Sequence, residues 1–458
     1  MAIFLKKIES WLLIIFLFSL PWQTRWIIQS GLIKDSYWEY GTISLYASDI
    51  LLIIIILLNL IRHYVNKTKI NISKIDLLLV LAAVLVLGAN IYLSLNQVLS
   101  LFHASWLLLA LGLFIIMRQE IISRSTALLS LISGATLASA LGVWQFISQS
   151  TIASKWFGLA EHISENLGSS VIEAVAPDGV TERWLRAYGS LDHPNMLGGL
   201  IALIIFFCFY LIFKLATKSN KEKFIVASFI LLVAGLICSF SRSAWLAALS
   251  GIIIYLIFVF KHDFKLRLKP VLPLFIIGLI TTALLAIPYY YIFLPRFSTA
   301  SRLEKISAIE RVAGYQEALP IIKKNLLLGT GLGTYGLALQ ADNPKQLVWY
   351  YQPIHNFWLL LLAETGLVGL ALWLWFIFKQ IISAWKNNKA DHLIIIGTIV
   401  VLLVLGLFDH WLMSLHFGIL LSAAALGLVL RSPFGELRTT SSPEQLKQTT
   451  FDSNGEAR

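Results

Sequence analysis

Between Pro353 and Gly369, His355 and Asn356 stand at the mouth of an apolar run that continues to Phe378, with Gly366 and Gly369 inside it. Such a run has the character of a membrane helix, so the imidazole sits where that helix meets water. A helix N-terminus disfavours imidazolium, which keeps the ring neutral and able to accept a proton. Asn356 adds a donor and an acceptor beside it. Two arginines in polar surroundings fall on the same side of the membrane. Arg242 lies in Ser239-Phe240-Ser241-Arg242-Ser243-Ala244-Trp245, a very short turn between two apolar runs. An arginine so close to lipid is costly unless it snorkels or pairs with an anion, and the flanking serines suit a phosphate cradle. Arg311 lies between Leu303 and Leu319, where Leu303, Ile306, Ile309, Val312 and Ala313 recur at helical spacing. That pattern describes a helix lying along the outer surface, with Arg311, Tyr315 and Ala318 on one stripe and Pro320 ending or kinking it. Each group also has a plainer reading: a structural interfacial histidine, a snorkelling arginine, a solvated charge.

A fourth cluster runs from Arg186 to Gly198 and contains Asp192, His193, Pro194 and Asn195. Pro194 suits the first position of the next helix, with Asp192 or His193 near its cap, which explains part of the polar character. The glycines from Gly329 to Gly336 imitate a nucleotide loop but lack the Gly-Lys-Ser/Thr ending and any βαβ context; a tight turn or close backbone approach is expected instead. No two carboxylates in these connections stand at metal-ligand spacing, Asp178/Glu182 and Asp192/His193 being the nearest pairs. Neither a metal nor a cofactor is therefore expected. A chemistry that neutralises a diphosphate would fall to arginines, whose planar forks match phosphate oxygens. Cys208 and Cys238 both sit in apolar runs, offering neither a disulfide framework nor a thiolate metal site.

The elements that position these groups follow from composition. The chain has 458 residues, of which 58% are hydrophobic and 13% charged, with a mean hydropathy of +0.77. A soluble domain carries nearly twice that charge. Continuous apolar runs of about 20 residues, not alternating ones, describe helices crossing a bilayer. Twelve are expected, at roughly 5–21, 43–61, 75–94, 98–117, 125–148, 195–213, 224–240, 243–260, 271–294, 355–378, 391–408 and 412–430, which makes an all-α polytopic membrane protein. Lys6 and Lys7 before an apolar run imitate a signal peptide, but Pro21-Trp22-Gln23 offers no small-residue cleavage site, so the run reads as a retained first helix. Alternate short connections hold 19 basic residues on one side against Arg25, Lys34 and Arg242 on the other, which puts both termini in the cytoplasm. The net charge of +11 is then mostly a topology signal and needs no nucleic-acid partner.

This divides the chain into residues 1–148, carrying five spans; an outer loop, 149–194; residues 195–294, carrying four; a large outer loop, 295–354; residues 355–430, carrying three; and a polar, disordered cytoplasmic tail, 431–458. Both long outer loops are basic although they translocate, which fits an anionic ligand at that face or attraction to anionic lipid headgroups.

Taken in order, Arg186…Gly189…His193-Pro194-Asn195, Ser241-Arg242-Ser243, Arg311…Tyr315…Glu317-Ala318-Leu319, Gly329…Gly331…Gly333 and His355-Asn356-x9-Gly366-x2-Gly369 resemble the O-antigen ligase/polymerase family, integral membrane glycosyltransferases of GT-C-like type. The resemblance covers about residues 180–430 by motif and the first five spans by architecture. It is specific for the superfamily, whose ligases, polymerases and protein O-oligosaccharyltransferases share one scaffold. It implies a glycan donor on undecaprenyl diphosphate at the periplasmic face of the bacterial inner membrane. The implied acceptor is a hydroxyl of lipid A-core in a ligase, or of another glycan in a polymerase. It further implies that His355 is the catalytic histidine, that Arg242 and Arg311 bind the diphosphate and stabilise it as leaving group, and that a single metal-independent displacement inverts the anomeric centre. Arg186, His193, Asn195, Tyr315 and Asn356 would line the substrate site, and Gly366 and Gly369 would allow close helix packing beneath it. A transporter would show related halves and polar, broken helices at mid-membrane, which this chain does not suggest. A non-catalytic scaffold would explain the helices but not the ordered motifs.

Overall fold

The computed structural model describes residues 1–67, 74–166, 168–214, 219–261, 268–297, 302–387 and 392–431. The expected cytoplasmic tail beyond Arg431 lies outside the described residues, as do Lys69, Lys218, Lys265, Arg267 and Lys389 of the topology argument.

The chain is a polytopic bundle of apolar helices: α1 (Ala2–Ser19), α2 (Ala47–Val65), α3 (Lys74–Tyr92), α4 (Gln97–Arg118), α5 (Arg124–Ser148), α6 (Pro194–Lys214), α7 (Asn220–Cys238), α8 (Arg242–Lys261), α9 (Leu272–Ala286) and α10 (Tyr290–Phe297). It continues through α11 (Arg302–Lys324), α12 (Tyr335–Asp342), α13 (Phe357–Asn387), α14 (His392–Phe408), α15 (Trp411–Ser414) and α16 (His416–Val429). Six of these, α2, α4, α5, α6, α8 and α13, are individually long and apolar enough to cross a membrane, and the bent pair α9–α10 would make a seventh. Local caps start several of them: Asn96 accepts from Leu99 N–H, Ser123 from Thr126 N–H and Ser219 from Glu222 N–H, each satisfying a donor that has no partner within its helix.

Helix α6 is apolar on every face, and 94% of its spanning window is buried, so it is the central post of the bundle. Helices α5, α7, α8 and α14 pack around it. Gly198 and Gly199 in its first turn admit the Ser239–Ala244 turn and the indole of Trp411, where a Cβ would collide. Large apolar side chains such as Leu57, Leu85, Leu279 and Leu284 are exposed along the outer helices, a surface that suits lipid better than water.

Three small antiparallel hairpins interrupt the helices. β1 (Arg25–Gln29) pairs with β4 (Ile43–Tyr46), and β2 (Leu32–Ile33) with β3 (Ser36–Tyr37), all between α1 and α2. β5 (Val171–Val175) pairs with β6 (Thr181–Leu185) between α5 and α6, placing Ile172 opposite Trp184. From sequence, Arg25–Tyr37 and Val171–Leu185 fell in connections, while Ile43–Tyr46 was placed at the start of the expected 43–61 span.

Three helices depart from the expected spans. The expected 271–294 span is two helices bent by 100°. The last span is divided at Leu415, whose backbone is extended. The helix expected to end or kink at Pro320 continues through it to Lys324.

Candidate active site

The ends of α6, α7, α8, α13 and α14 meet at one end of the bundle, and a polar network crosses them. Asn195, in the first turn of α6, joins two sides. Its carbonyl accepts from Arg186 Nη2 at 2.8 Å, and its amide donates to Asp409 Oδ2 at 2.9 Å. Asp409, just past the end of α14, is buried; its Oδ1 accepts the His410 backbone N–H at 2.8 Å and lies 3.6 Å from His355 Nδ1. That last separation is an ion-pair contact, longer than a hydrogen bond. His355 Nδ1 is buried with no hydrogen-bond partner among the described residues, while the side chain as a whole is 33% exposed. The ring therefore turns one nitrogen towards a carboxylate and keeps a solvent-facing side.

Burial alone would raise the Asp409 carboxyl, but the contact with His355, and the charge that the imidazoles take up at low pH where the carboxyl titrates, outweigh it and hold the group well below the usual carboxylate range. Asp409 is thus ionised. His410 packs 5.1 Å from His355 between ring centroids and is itself met edge-on by Tyr40 at 5.7 Å. Burial pushes His410 down to about 4 and His193 down to about 3, so both are neutral. His193 Nδ1 accepts the Asn195 N–H at 3.1 Å, which leaves Nε2–H to donate to Ser170 Oγ at 2.8 Å.

The second half of the site is an arginine cluster. Arg186 is buried and donates through Nε to the Ser239 carbonyl at 2.8 Å. Arg296, on α10, donates to the Phe240 carbonyl at 2.6 Å and pairs with Glu304. Arg242, at the start of α8, meets the other oxygen of Glu304 at 2.7 Å and keeps 44% of its side chain exposed. Arg311, half-buried on α11, makes no hydrogen bond or ion pair among the described residues. Arg242 and Arg311 both lie close enough to repel Arg296, and Arg186 in turn feels Arg296, Glu304 and Asp409. Arg186 is therefore the electrostatic link between the arginines and the His355–Asp409 pair.

Helix α13 is broken at Gly366, whose φ of 65° and ψ of −172° leave the helical region. A Cβ there would strike the Leu327 carbonyl. The glycine loop after α11 enters the break: Leu367 and Val368 N–H donate to Leu326 and Leu327, while Thr330 and Gly331 N–H donate to Ala363 and Glu364. Gly366 thus serves a loop docked into a helix, which replaces the expectation of close helix packing; a Cβ on Gly369 would meet Thr365 of its own helix. Glu364 adds its carboxylate to the Gly333 N–H at 2.9 Å.

Of the eight residues singled out from sequence, Arg186, His193, Asn195 and His355 share the first network. Tyr315 reaches the His355 carbonyl with its hydroxyl at 3.4 Å. Arg242 and Arg311 share the second cluster. Asn356 has a different occupation: its Oδ1 caps α13 by accepting from Trp358 and Leu359 N–H, and its amide donates to the Leu407 carbonyl, each at 3.0 Å. Sequence reasoning missed Asp409, His410, Tyr40 and Glu304. An acid and a histidine between two apolar runs, 409–410, were the available signal.

His355, Asp409 and His410 also form a three-donor group whose ligand atoms lie within 4.8 Å of one another, which spacing along the chain did not reveal. A tetrahedral ion with bonds near 2.1 Å needs donors about 3.4 Å apart. The 3.6 and 3.9 Å separations here are wider, and both Asp409 oxygens already accept N–H bonds. The donors would have to close in and release those bonds to hold a cation.

No curated protein matches the chain. The O-antigen ligase family model matches residues 227–374, a segment that holds Arg242, Arg296, Glu304, Arg311, Tyr315 and His355 but ends before Asp409. Members of that family are glycosyltransferase-like enzymes of bacterial membranes engaged in lipopolysaccharide and polysaccharide synthesis. The segment that carries Arg242, Arg296, Arg311 and His355 is thus the part of this chain that is similar to the O-antigen ligase family.

Proposed function

We propose that this protein transfers a glycan from undecaprenyl diphosphate to an acceptor hydroxyl, on lipid A-core, at the periplasmic face of the inner membrane. The observation that carries the reading is the pairing of a half-exposed His355 with the buried carboxylate of Asp409, joined through Asn195 and Arg186 to a cluster of arginines. The chain would cross the membrane twelve times with both termini in the cytoplasm, in the domain divisions set out from sequence.

Asp409 favours the proton of the neutral His355 ring on Nδ1, which leaves the Nε2 lone pair towards the acceptor. Nε2 takes the proton as the acceptor oxygen bonds to the anomeric carbon. The bond from that carbon to the diphosphate oxygen breaks, and its electron pair leaves with undecaprenyl diphosphate. One displacement inverts the anomeric centre. The 3.6 Å gap to Asp409 shortens as positive charge develops on the ring, as catalytic contacts do on reaching the transition state. Arg242 and Arg311 meet the diphosphate and its growing charge, a role that metal ions fill elsewhere. Tyr315 holds the loop that carries His355, and Asn356 fixes the start of α13.

The test is transfer in vitro with purified protein, undecaprenyl-diphosphate glycan, lipid A-core and EDTA, comparing wild type with His355→Ala. Product on lipid A-core from wild type alone supports a metal-independent ligase. A lengthened donor glycan makes the enzyme a polymerase on the same scaffold. Full activity of His355→Ala sinks the assignment of the base.

A further inference from the structure

Glu304 pairs with both Arg242 and Arg296, and Arg186, Arg311 and Asp409 are among the charged groups that act on this cluster. Four cations and two carboxylates leave a net of two positive charges. A lipid-linked glycan diphosphate is a diester with one ionised oxygen on each phosphorus, so it brings two negative charges and balances the cluster. Once the glycan has left, the terminal phosphate of the product can ionise again with a pKa near 6, adding up to about one more negative charge at neutral pH. On charge alone the product's diphosphate therefore binds the arginine cluster more tightly than the substrate's does, and a less positive cluster favours its release.

Glu304 is the group placed to set that balance. It sits in the first turn of α11 with its side chain 7% exposed, one oxygen on Arg296 and the other 2.7 Å from Arg242. Neither arginine is used up by it, since Arg242 keeps 44% of its side chain open. Both oxygens of this buried carboxylate face arginines. Resting on the lipid-diphosphate reading above, we infer that Glu304 is a positioning residue that holds Arg242 and Arg296 together while lowering the charge of the site, so that the diphosphate product is released after transfer.

Glu304→Gln keeps shape and one amide contact but leaves the cluster at three positive charges. The experiment measures donor KM, kcat and inhibition by added undecaprenyl diphosphate for wild type, Glu304→Gln, Glu304→Asp and the double variant Glu304→Gln/Arg296→Gln, in nanodiscs. In Glu304→Gln the inhibition constant falls on the order of tenfold, more than KM falls, and kcat drops with a burst of first-turnover product. Glu304→Asp keeps the charge and restores product affinity to near the wild-type value. The double variant returns the net charge to two and loses the excess product affinity, an outcome that a merely structural glutamate would not give. It also reads the inference if Glu304→Gln alone does not fold. Product inhibition in folded Glu304→Gln equal to or weaker than wild type overturns the inference, as does excess affinity that persists in the double variant. If wild type itself is not inhibited by undecaprenyl diphosphate, the lipid-diphosphate reading falls first, and this inference falls with it.

Discussion

Replacing Asp409 by asparagine removes one negative charge and little volume. The substituted amide keeps one acceptor oxygen, so it can hold the bond from Asn195 at 2.9 Å or that from the His410 N–H at 2.8 Å, but not both. Also lost is the attraction between the carboxylate and the positive charge that His355 gains in the transition state. At 3.6 Å and an effective dielectric near 20, that attraction is roughly 4 to 5 kcal/mol. A ring one-third open to solvent is screened, and about 2 kcal/mol is a fair remainder. Because the charge exists in the transition state and not in the ground state, the loss falls on kcat, by roughly 30-fold, with donor KM little changed. The assay is steady-state transfer from undecaprenyl-diphosphate glycan, with thermal unfolding run beside it to exclude a folding defect. A folded Asp409→Asn enzyme with kcat within about threefold of wild type would refute the argument that Asp409 acts through His355.

Asn356→Ala should cost about 1 kcal/mol of stability through loss of the α13 cap, seen as a lower thermal midpoint, with kcat reduced far less than in His355→Ala; a loss of activity as deep as that of His355→Ala would return Asn356 to substrate contact. Gly366→Ala should prevent stable accumulation in the membrane, because the positive φ and the Leu327 carbonyl both exclude a Cβ; normal expression and melting would contradict the docked loop. Acid should destabilise the protein through His193 and His410. Their folded values, about 3 and about 4, lie below the ordinary 6.5, so between pH 6.5 and 4 the unfolded chain binds protons that the folded one refuses, and the stability present above pH 6.5 is lost on acidification. Asp192, raised to about 6 chiefly by burial, works in the opposite sense over the same window. His162, also lowered by burial, adds to the two histidines, so the midpoint falls from pH 7 to 4.5, and His410→Gln should flatten that slope.

The sequence exposed the parts of the site that announce themselves locally. Arg242 is polar in a turn too short to be anything but interfacial, and His355 opens an apolar run. Arg186, His193 and Asn195 stand at a helix start marked by Pro194. A helix lies at each of the twelve apolar runs because bilayer-length hydrophobicity is a strong periodic signal. Partnership was not legible. Asp409 meets Asn195 across 214 positions of chain, and Glu304 meets Arg242 across a bend whose angle no local pattern encodes. Asn356 lies beside His355 in sequence, which suggested substrate contact, while the structure shows its side chain capping α13. Pro320 was read as ending or kinking the helix, and α11 continues through it to Lys324.

The break at Gly366 has a consequence for how the enzyme answers its lipid surroundings. Above the break, residues 357–365 are stapled by backbone bonds to the glycine loop, and so to α11 and α12; below it, once Leu367 and Val368 have bonded Leu326 and Leu327, the helix runs on as an apolar rod packed against other helices. A bilayer that thickens or thins is accommodated by tilting such rods, and here the tilt is absorbed at Gly366 before it reaches His355. The reacting nitrogen is thereby referenced to the extramembrane part of the molecule and decoupled from membrane thickness. Transfer rates should be similar in short-chain and long-chain phospholipid, where an unbroken helix would carry its histidine up or down with the lipid.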